Sequence, residues 1–403
     1  MRRETLMRKT NLFGTATLVL ILVLGLVPAL GAASDSVCTP EGCAVPKSGQ
    51  TDQRLPAYHD YALFIAGLSN LKGALAAYED QPAWVRHAKF IDQNWERFTR
   101  GRLAPMREWA ARELASATTA SVFYPFSGPD FVNVFTLFPR AKTYLLIALE
   151  PVGQIPDFAV RNEPNFFPSL QRSLYDLLHL DFFITNKMKT VIGKSELKGT
   201  LPVLMFFLAR EQARVLDVQY WVMKPDGTIS ESPAAGPGDR PAGIPGVRIV
   251  FTSPGSAENQ TLYYFQFDLG NGSFGRNQHF VSFLKSFGPM TSFTKAASYL
   301  MFKPYFSGIR QFILDESLYV LQGDSGIPLR YFDPEAWDLQ FYGTYAGPIS
   351  LFSNCFQADM ANRYKRKEDI KPLPFGIDYR HRARTSNLMF ASKKTKLLAV
   401  APN

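Results

Sequence analysis

Two apolar runs, SVFYPF (Ser121 to Phe126) and TYLLIALE (Thr143 to Glu150), flank the segment DFVNVFTLF. Neither run alternates polar with apolar residues, so a strand made from either must be buried on both faces, as in a parallel sheet. The span of roughly 30 residues is that of a strand–helix–strand unit, whose crossover is right-handed. Helices are then required on both faces of the sheet, which makes the chain an α/β protein.

The flanking sequence supplies those helices. Tyr61, Phe64, Leu68, Leu71, Leu75 and Tyr78 recur at helical spacing, and Trp84, Ala88, Ile91, Trp95 and Phe98 repeat the pattern up to Gly101. Further helices are expected near 166–178, over GTLPVLMFFLAREQ, and at 280–287, 292–302 and 306–315. Strands are expected at DFFIT, RVLDVQYWVM and SLYVLQ, with one or two more between Asp338 and Phe352. GVRIVFTS and TLYYFQFDL, joined by SPGSAENQ, read as an antiparallel pair. Residues 231–246 are rich in Pro and Gly and read as a flexible loop.

The N-terminus has the form of an export signal. Arg2, Arg3, Arg8 and Lys9 precede the apolar stretch Ala16 to Val27, and Pro28 and small residues follow, with cleavage expected after Gly31 or Ala33. That core is shorter than the roughly 20 residues a spanning helix needs, so a retained anchor is the weaker alternative. The expected division is 1–33 signal peptide, 34–56 leader, 57–362 one α/β domain and 363–403 a basic C-terminal segment. In that last segment eleven Lys/Arg face three acids, against a net charge of +9 for the whole chain. Peripheral contact with an anionic envelope surface is the expected partner, and nucleic acid is not. In an oxidising compartment Cys38 and Cys43 are candidates for a disulfide, with Cys355 left over in the core. Cys and His show no metal-ligand spacing.

The corner between the two apolar runs is the candidate site. Ser127-Gly128-Pro129-Asp130 matches a capping box, with Ser127 capping the following helix and Asp130 reaching back. A carboxylate there would repel phosphate, and no glycine-rich phosphate loop is present. Tyr124, Ser127, Gly128, Asp130 and Glu150 are the candidate ligand-binding residues, because ligands of parallel sheets gather at the carboxyl ends of strands. LQGDSGIPL (Leu321 to Leu329) is similar to the serine-nucleophile motif of chymotrypsin-like proteases. No histidine has that family's setting, and the segment reads as a turn. His179 and Asp181 form a lone pair and read as a helix end.

The order strand, short Gly loop, helix, strand ending in the acid Glu150 resembles the opening of class I S-adenosylmethionine-dependent methyltransferases. The resemblance implies a cofactor approached by the loop at Gly128, with its ribose held by Glu150. The loop has one glycine where that family usually has two or three. YPFSGPDF and KTYLLIALEPVG also resemble segments of an uncharacterised group of exported bacterial proteins. The fold expected is a mostly parallel, Rossmann-like sheet flanked by helices, with an added antiparallel strand pair. The function expected is small-molecule binding in the envelope, S-adenosylmethionine being the cofactor the resemblance suggests. The alternatives are an enzyme (a methyltransferase-like transferase, or a hydrolase using carboxylates) and a non-catalytic structural protein.

Overall fold

In the computed structural model the two apolar runs pair side by side and in the same direction. It describes residues 58–117, 119–155, 167–168, 170–172, 174, 199–231, 242–367, 369–379 and 382–394. β1 (Ser121–Pro125) lies against β2 (Thr143–Ala148), with Ser121 opposite Thr143 and Pro125 opposite Ile147. α4 (Phe131–Leu137) makes the crossover. The helices ahead of it are α1 (Tyr58–Ala66), α2 (Pro82–Phe98) and α3 (Ala104–Glu113).

Three more strands extend the parallel region. β6 (Gln260–Gln266) pairs parallel with β2. β7 (Met290–Thr294) pairs parallel with the other side of β1, and β8 (Ser317–Gln322) with β7. Five neighbouring strands, β8-β7-β1-β2-β6, therefore share one direction and end on one rim.

Both flanks depart from the expected arrangement. Beyond β6 lie the antiparallel strands β5 (Ile244–Thr252), β3 (Arg214–Met223) and β4 (Ile229–Glu231). Beyond β8 lies β11 (Asn387–Lys393), antiparallel both to β8 and to β9 (Trp337–Gly343), and β10 (Ile370–Lys371) closes that edge. The eleven-stranded sheet is thus mixed rather than mostly parallel, and its antiparallel part is larger than one added pair. The reason is visible in β3 and β5, whose exposed and half-buried positions interleave with buried ones, whereas β1 is buried throughout.

Side-chain alternation divides the core in two. Val122, Tyr124, Tyr144 and Leu146 pack with α1 to α4 and with α5 (Leu201–Arg210). Phe123, Leu145 and Ile147 face the other way. Their core is shared with α6 (Asn271–Phe274), α7 (Gln278–Lys285), α8 (Ser307–Glu316) and α9 (Ala358–Arg366).

Three local expectations are corrected. The first helix stops at Ala66 because Gly67 turns left-handed (φ +64°) and lies so close to α2 that a β-carbon would come within 2.7 Å of Ala88 Cα. The helix expected over 292–302 is instead β7 and a bent loop. Ser292 Oγ lies 2.7 Å from Ser317 Oγ on β8, and Ala296, Ser298 and Tyr299 all have positive φ, which no helix allows. Gly101 does not end α2, since a π-helical turn (Thr99–Leu103) carries the chain on into α3. The basic run from 363 contributes β10 and β11 to the sheet itself. The expected strand DFFIT, most of the helix near 166–178, His179, Cys38, Cys43 and the signal segment lie outside the described residues.

Phe123 is fully buried and meets Phe312 of α8 edge to face, 5.5 Å between ring centroids. Phe123→Ala is expected to cost about 3–5 kcal/mol in urea unfolding. The exposed Leu318→Ala, on β8 of the same sheet, should change stability by no more than about 0.5 kcal/mol.

Candidate functional site

Where β1 ends, the chain turns sharply. Phe126 and Gly128 both take left-handed backbone, at φ +59° and +53°. The turn is fastened to β2 by Ser127, whose N–H donates to the Ile147 carbonyl at 3.1 Å and whose hydroxyl donates to the same oxygen at 3.5 Å. Ser127 is therefore not the cap of α4, which begins at Phe131. Asp130 occupies the cap position without making a side-chain cap bond.

A stronger partner takes the Asp130 carboxylate away from the helix end. Lys295, at the end of β7, donates to it in a buried ion pair, Asn133 donates to its other oxygen, and the Tyr124 hydroxyl donates at 3.3 Å. Burial pushes the Asp130 carboxyl above its usual range, while Lys295, Asn133 and Tyr124 pull it back. The expected capping box is thus replaced by an ion pair across the sheet. Because the charge on Asp130 is matched, it no longer argues against an anionic ligand.

Glu150 stands on the same rim. A β-carbon on Gly128 would lie 3.9 Å from Glu150 Oε2, so the corner and the acid face each other. Glu150 is buried, and its carbonyl accepts from the Tyr264 hydroxyl at 2.7 Å. Tyr124, Ser127, Gly128, Asp130 and Glu150 all line one cavity of about 140 Å³. Phe126 forms part of its wall, packed against Phe306 at 5.9 Å, and does not fill it.

Two charged lining residues escaped the sequence reading. Lys295 follows β7 and Asp268 follows β6, as Glu150 follows β2. The signal was a charged residue closing an apolar or hydroxyl-rich run. It was used at Glu150, passed over at Asp268, and hidden at Lys295 by the mistaken helix. Asp268 also orders its own loop, accepting from Gly270 N at 2.9 Å and Ser273 Oγ at 3.0 Å.

The loop after β7 is strained and firmly held. Left-handed backbone at Ala296, Ser298 and Tyr299 costs about 1 kcal/mol or more at each residue. The Tyr379 hydroxyl accepts from Ser298 N at 3.1 Å and donates to the Ala296 carbonyl at 2.8 Å. Ala297 N donates to Ser325 Oγ at 3.2 Å, and Tyr299 donates to Asp324 at 2.6 Å. Ser325 in turn donates to Asp378 at 2.6 Å, so its hydroxyl is a structural link and not a histidine-activated nucleophile. Asp378 is pushed up to about 6, first by burial and then by the neighbouring charge of Asp324.

A wider groove of about 710 Å³ lies at the opposite, amino-terminal rim. Three of its four basic side chains are paired: Arg107 with Glu211, Lys142 with Glu258 and Arg210 with Asp92, each at 2.6 Å. Among the described residues no helix is long and apolar enough to cross a membrane, and no cluster of three metal-binding side chains occurs. Cys355 is a buried free thiol. Comparison of the chain with family models, with curated proteins and with solved structures gives no match.

Lys295→Met should destabilise the protein by about 3–5 kcal/mol in urea unfolding, because Asp130 is left buried and unpaired, whereas the double change with Asp130→Leu should recover most of that loss. Folded Asp378 holds its proton up to about 6, against 3.8 for the ordinary carboxyl, so folding takes up a proton between these values. Its contribution should therefore fall as pH rises from 4 to 6, by on the order of 3 kcal/mol. Asp378→Asn should flatten that part of the stability–pH curve.

Proposed function

We propose that the protein binds a small molecule at the carboxyl rim of its parallel strands. The observation that carries this reading is where the cavity lies. From β1 the chain order runs one way through β2 and β6 and the other way through β7 and β8. In doubly wound sheets ligands occupy the crevice at such a reversal, outside the carboxyl ends of the strands. The cavity is lined by residues that follow β1, β2, β6 and β7.

Charge narrows the ligand. With Asp130 matched by Lys295, the acids Glu150 and Asp268 give the lining an excess of negative charge. A cationic group, or a polyol able to donate hydrogen bonds to carboxylates, suits that lining. S-adenosylmethionine carries both a sulfonium and ribose hydroxyls, and Glu150 and Asp268 are the residues that would face them. The enclosed volume is close to the roughly 150 Å³ that holds a benzene. Most of a nucleoside would therefore sit in the open mouth unless the 126–130 turn moves.

A second reading, a transferase, is favoured by one further observation. β11 enters antiparallel between β8 and β9, beyond the five parallel strands. That sheet order resembles the class I methyltransferases named above. An envelope location rests on the N-terminal basic and apolar segment.

Thermal unfolding with S-adenosylmethionine, its demethylated product, nucleosides and sugars tests the proposal. A ligand at 100 times its dissociation constant should add about 2.7 kcal/mol. Glu150→Gln should weaken that binding about tenfold or more. No stabilisation by any compound removes the proposal for these classes, and stabilisation unchanged in Glu150→Gln places the ligand elsewhere.

A further inference from the structure

The turn after β8, Gly323-Asp324-Ser325-Gly326, is the stretch whose sequence is similar to a protease nucleophile motif, and its Asp324 and Ser325 are buried. The turn is shaped around a carboxylate from the C-terminal part of the chain. A β-carbon on Gly323 would lie 2.3 Å from Asp378 Oδ2, so glycine is what lets Asp378 sit against the turn. Asp378 and Asp324 thus bring two carboxyl groups into one buried cluster beside the loop that follows β7.

Asp378 joins two holds on that loop. Its Oδ2 accepts from Ser325 Oγ at 2.6 Å, and Ser325 Oγ accepts from Ala297 N at 3.2 Å. Its Oδ1 accepts from Tyr379 N at 2.8 Å, and the Tyr379 hydroxyl bonds Ser298 N and the Ala296 carbonyl. Asp324 holds the same loop through Tyr299. Ala296, Ser298 and Tyr299 are in left-handed backbone, a strain that relaxes when the holds are released. Ala296, Ala297, Ser298 and Leu300 line the cavity.

Charged and titratable groups reach the cluster from several elements. Asp324 repels the Asp378 charge from the turn after β8. Lys295, at the end of β7, acts in the opposite sense, more weakly, and is already paired with Asp130. The phenols that sense the two acids are Tyr124 on β1, Tyr299 in the loop, Tyr379 beside Asp378, and Tyr345 and Tyr364 near Asp324. Burial pushes each of these phenols above its ordinary value, so they stay neutral through pH 7. Asp378, pushed up to about 6, gains its charge in the mildly acid range, because burial and Asp324 outweigh the bonds from Ser325 and Tyr379. Ionisation then leaves two like charges in a buried site. Lifting the strained loop to admit water relieves them.

We propose that the loop after β7 is a proton-operated latch on the cavity wall. With a proton on Asp378 the loop is held against the turn after β8, and loss of that proton frees the loop and opens the wall between Lys295 and Leu300. What the latch controls rests on the ligand reading given above. The latch itself belongs to the free protein and is read without a ligand, so failure of one leaves the other standing.

Hydrogen–deuterium exchange of the full chain at pH 5 and pH 7.5, corrected for the intrinsic rate at each pH, reads the latch directly. The Ala297 and Ser298 amides are themselves two of the holds. They should exchange faster than the amides of β1 and β2, which marks a local opening rather than global unfolding. Their protection should fall about tenfold from pH 5 to pH 7.5, one decade for the one unit between pH 5 and the Asp378 value. In Asp378→Asn, which carries no charge at either pH, the fall should disappear. Should that variant not fold, Asp324→Asn removes the repelling neighbour, and the fall should shrink to about threefold or less. Loop amides that exchange only as fast as those of β1 and β2 overturn the proposal. So does loop protection that is the same at both pH values, or a tenfold fall that persists in the variant that folds.

Discussion

The buried ion pair between Asp130 and Lys295 ties the turn after β1 to the end of β7. These are the strands between which the chain order of the parallel sheet reverses. Burying two opposite charges is expensive, and the cost is recovered only with good geometry and further hydrogen bonds. Here Tyr124 and Asn133 supply those bonds. The pair lines a cavity whose other acids, Glu150 and Asp268, follow β2 and β6. Had Asp130 reached back to Ser127 as the capping box implies, Lys295 would have lacked this carboxylate.

The rim is kept in shape by a second set of polar contacts beneath it. Ser325 and Asp324, from the turn after β8, and Tyr379, from the C-terminal part of the chain, grip the strained loop after β7. Those contacts depend on β11, which carries the C-terminal chain back into the sheet beside β8. Asn387 at its start donates to Asp324 at 3.2 Å. Folding of the C-terminal strand and shaping of the cavity are therefore linked, although they lie far apart in sequence.

Much of this was legible in the sequence because burial on both faces leaves a plain record. Continuous apolar runs marked β1 and β2, and their parallel pairing followed. The helix at LPVLMFFLAR and the strand at RVLDVQYWVM were equally clear. What was hidden has physical causes. β7 is MTSFT, whose polar Thr291 and Ser292, bonded to Thr119 and Ser317, break the apolar pattern. β11 sits in a stretch whose lysines and arginines mask its NLMFA core. The partner of Asp130 lies 165 residues away, and a local capping motif cannot report a competitor at that distance. Five candidate residues were brought to one cavity; Lys295 was missed for want of its strand, and Asp268 was passed over at the end of a strand that was expected.

The proposed ligand site lies on the carboxyl rim, between Glu150 and the Asp130–Lys295 pair. The most direct measurement is a crystal structure of the protein grown with the compound that stabilises it most. Electron density is expected against Glu150, Gly128 and Lys295, with the Asp130–Lys295 pair intact. Density in the groove bounded by Arg140 and Gln212 at the opposite rim, with the carboxyl rim unchanged, would contradict it.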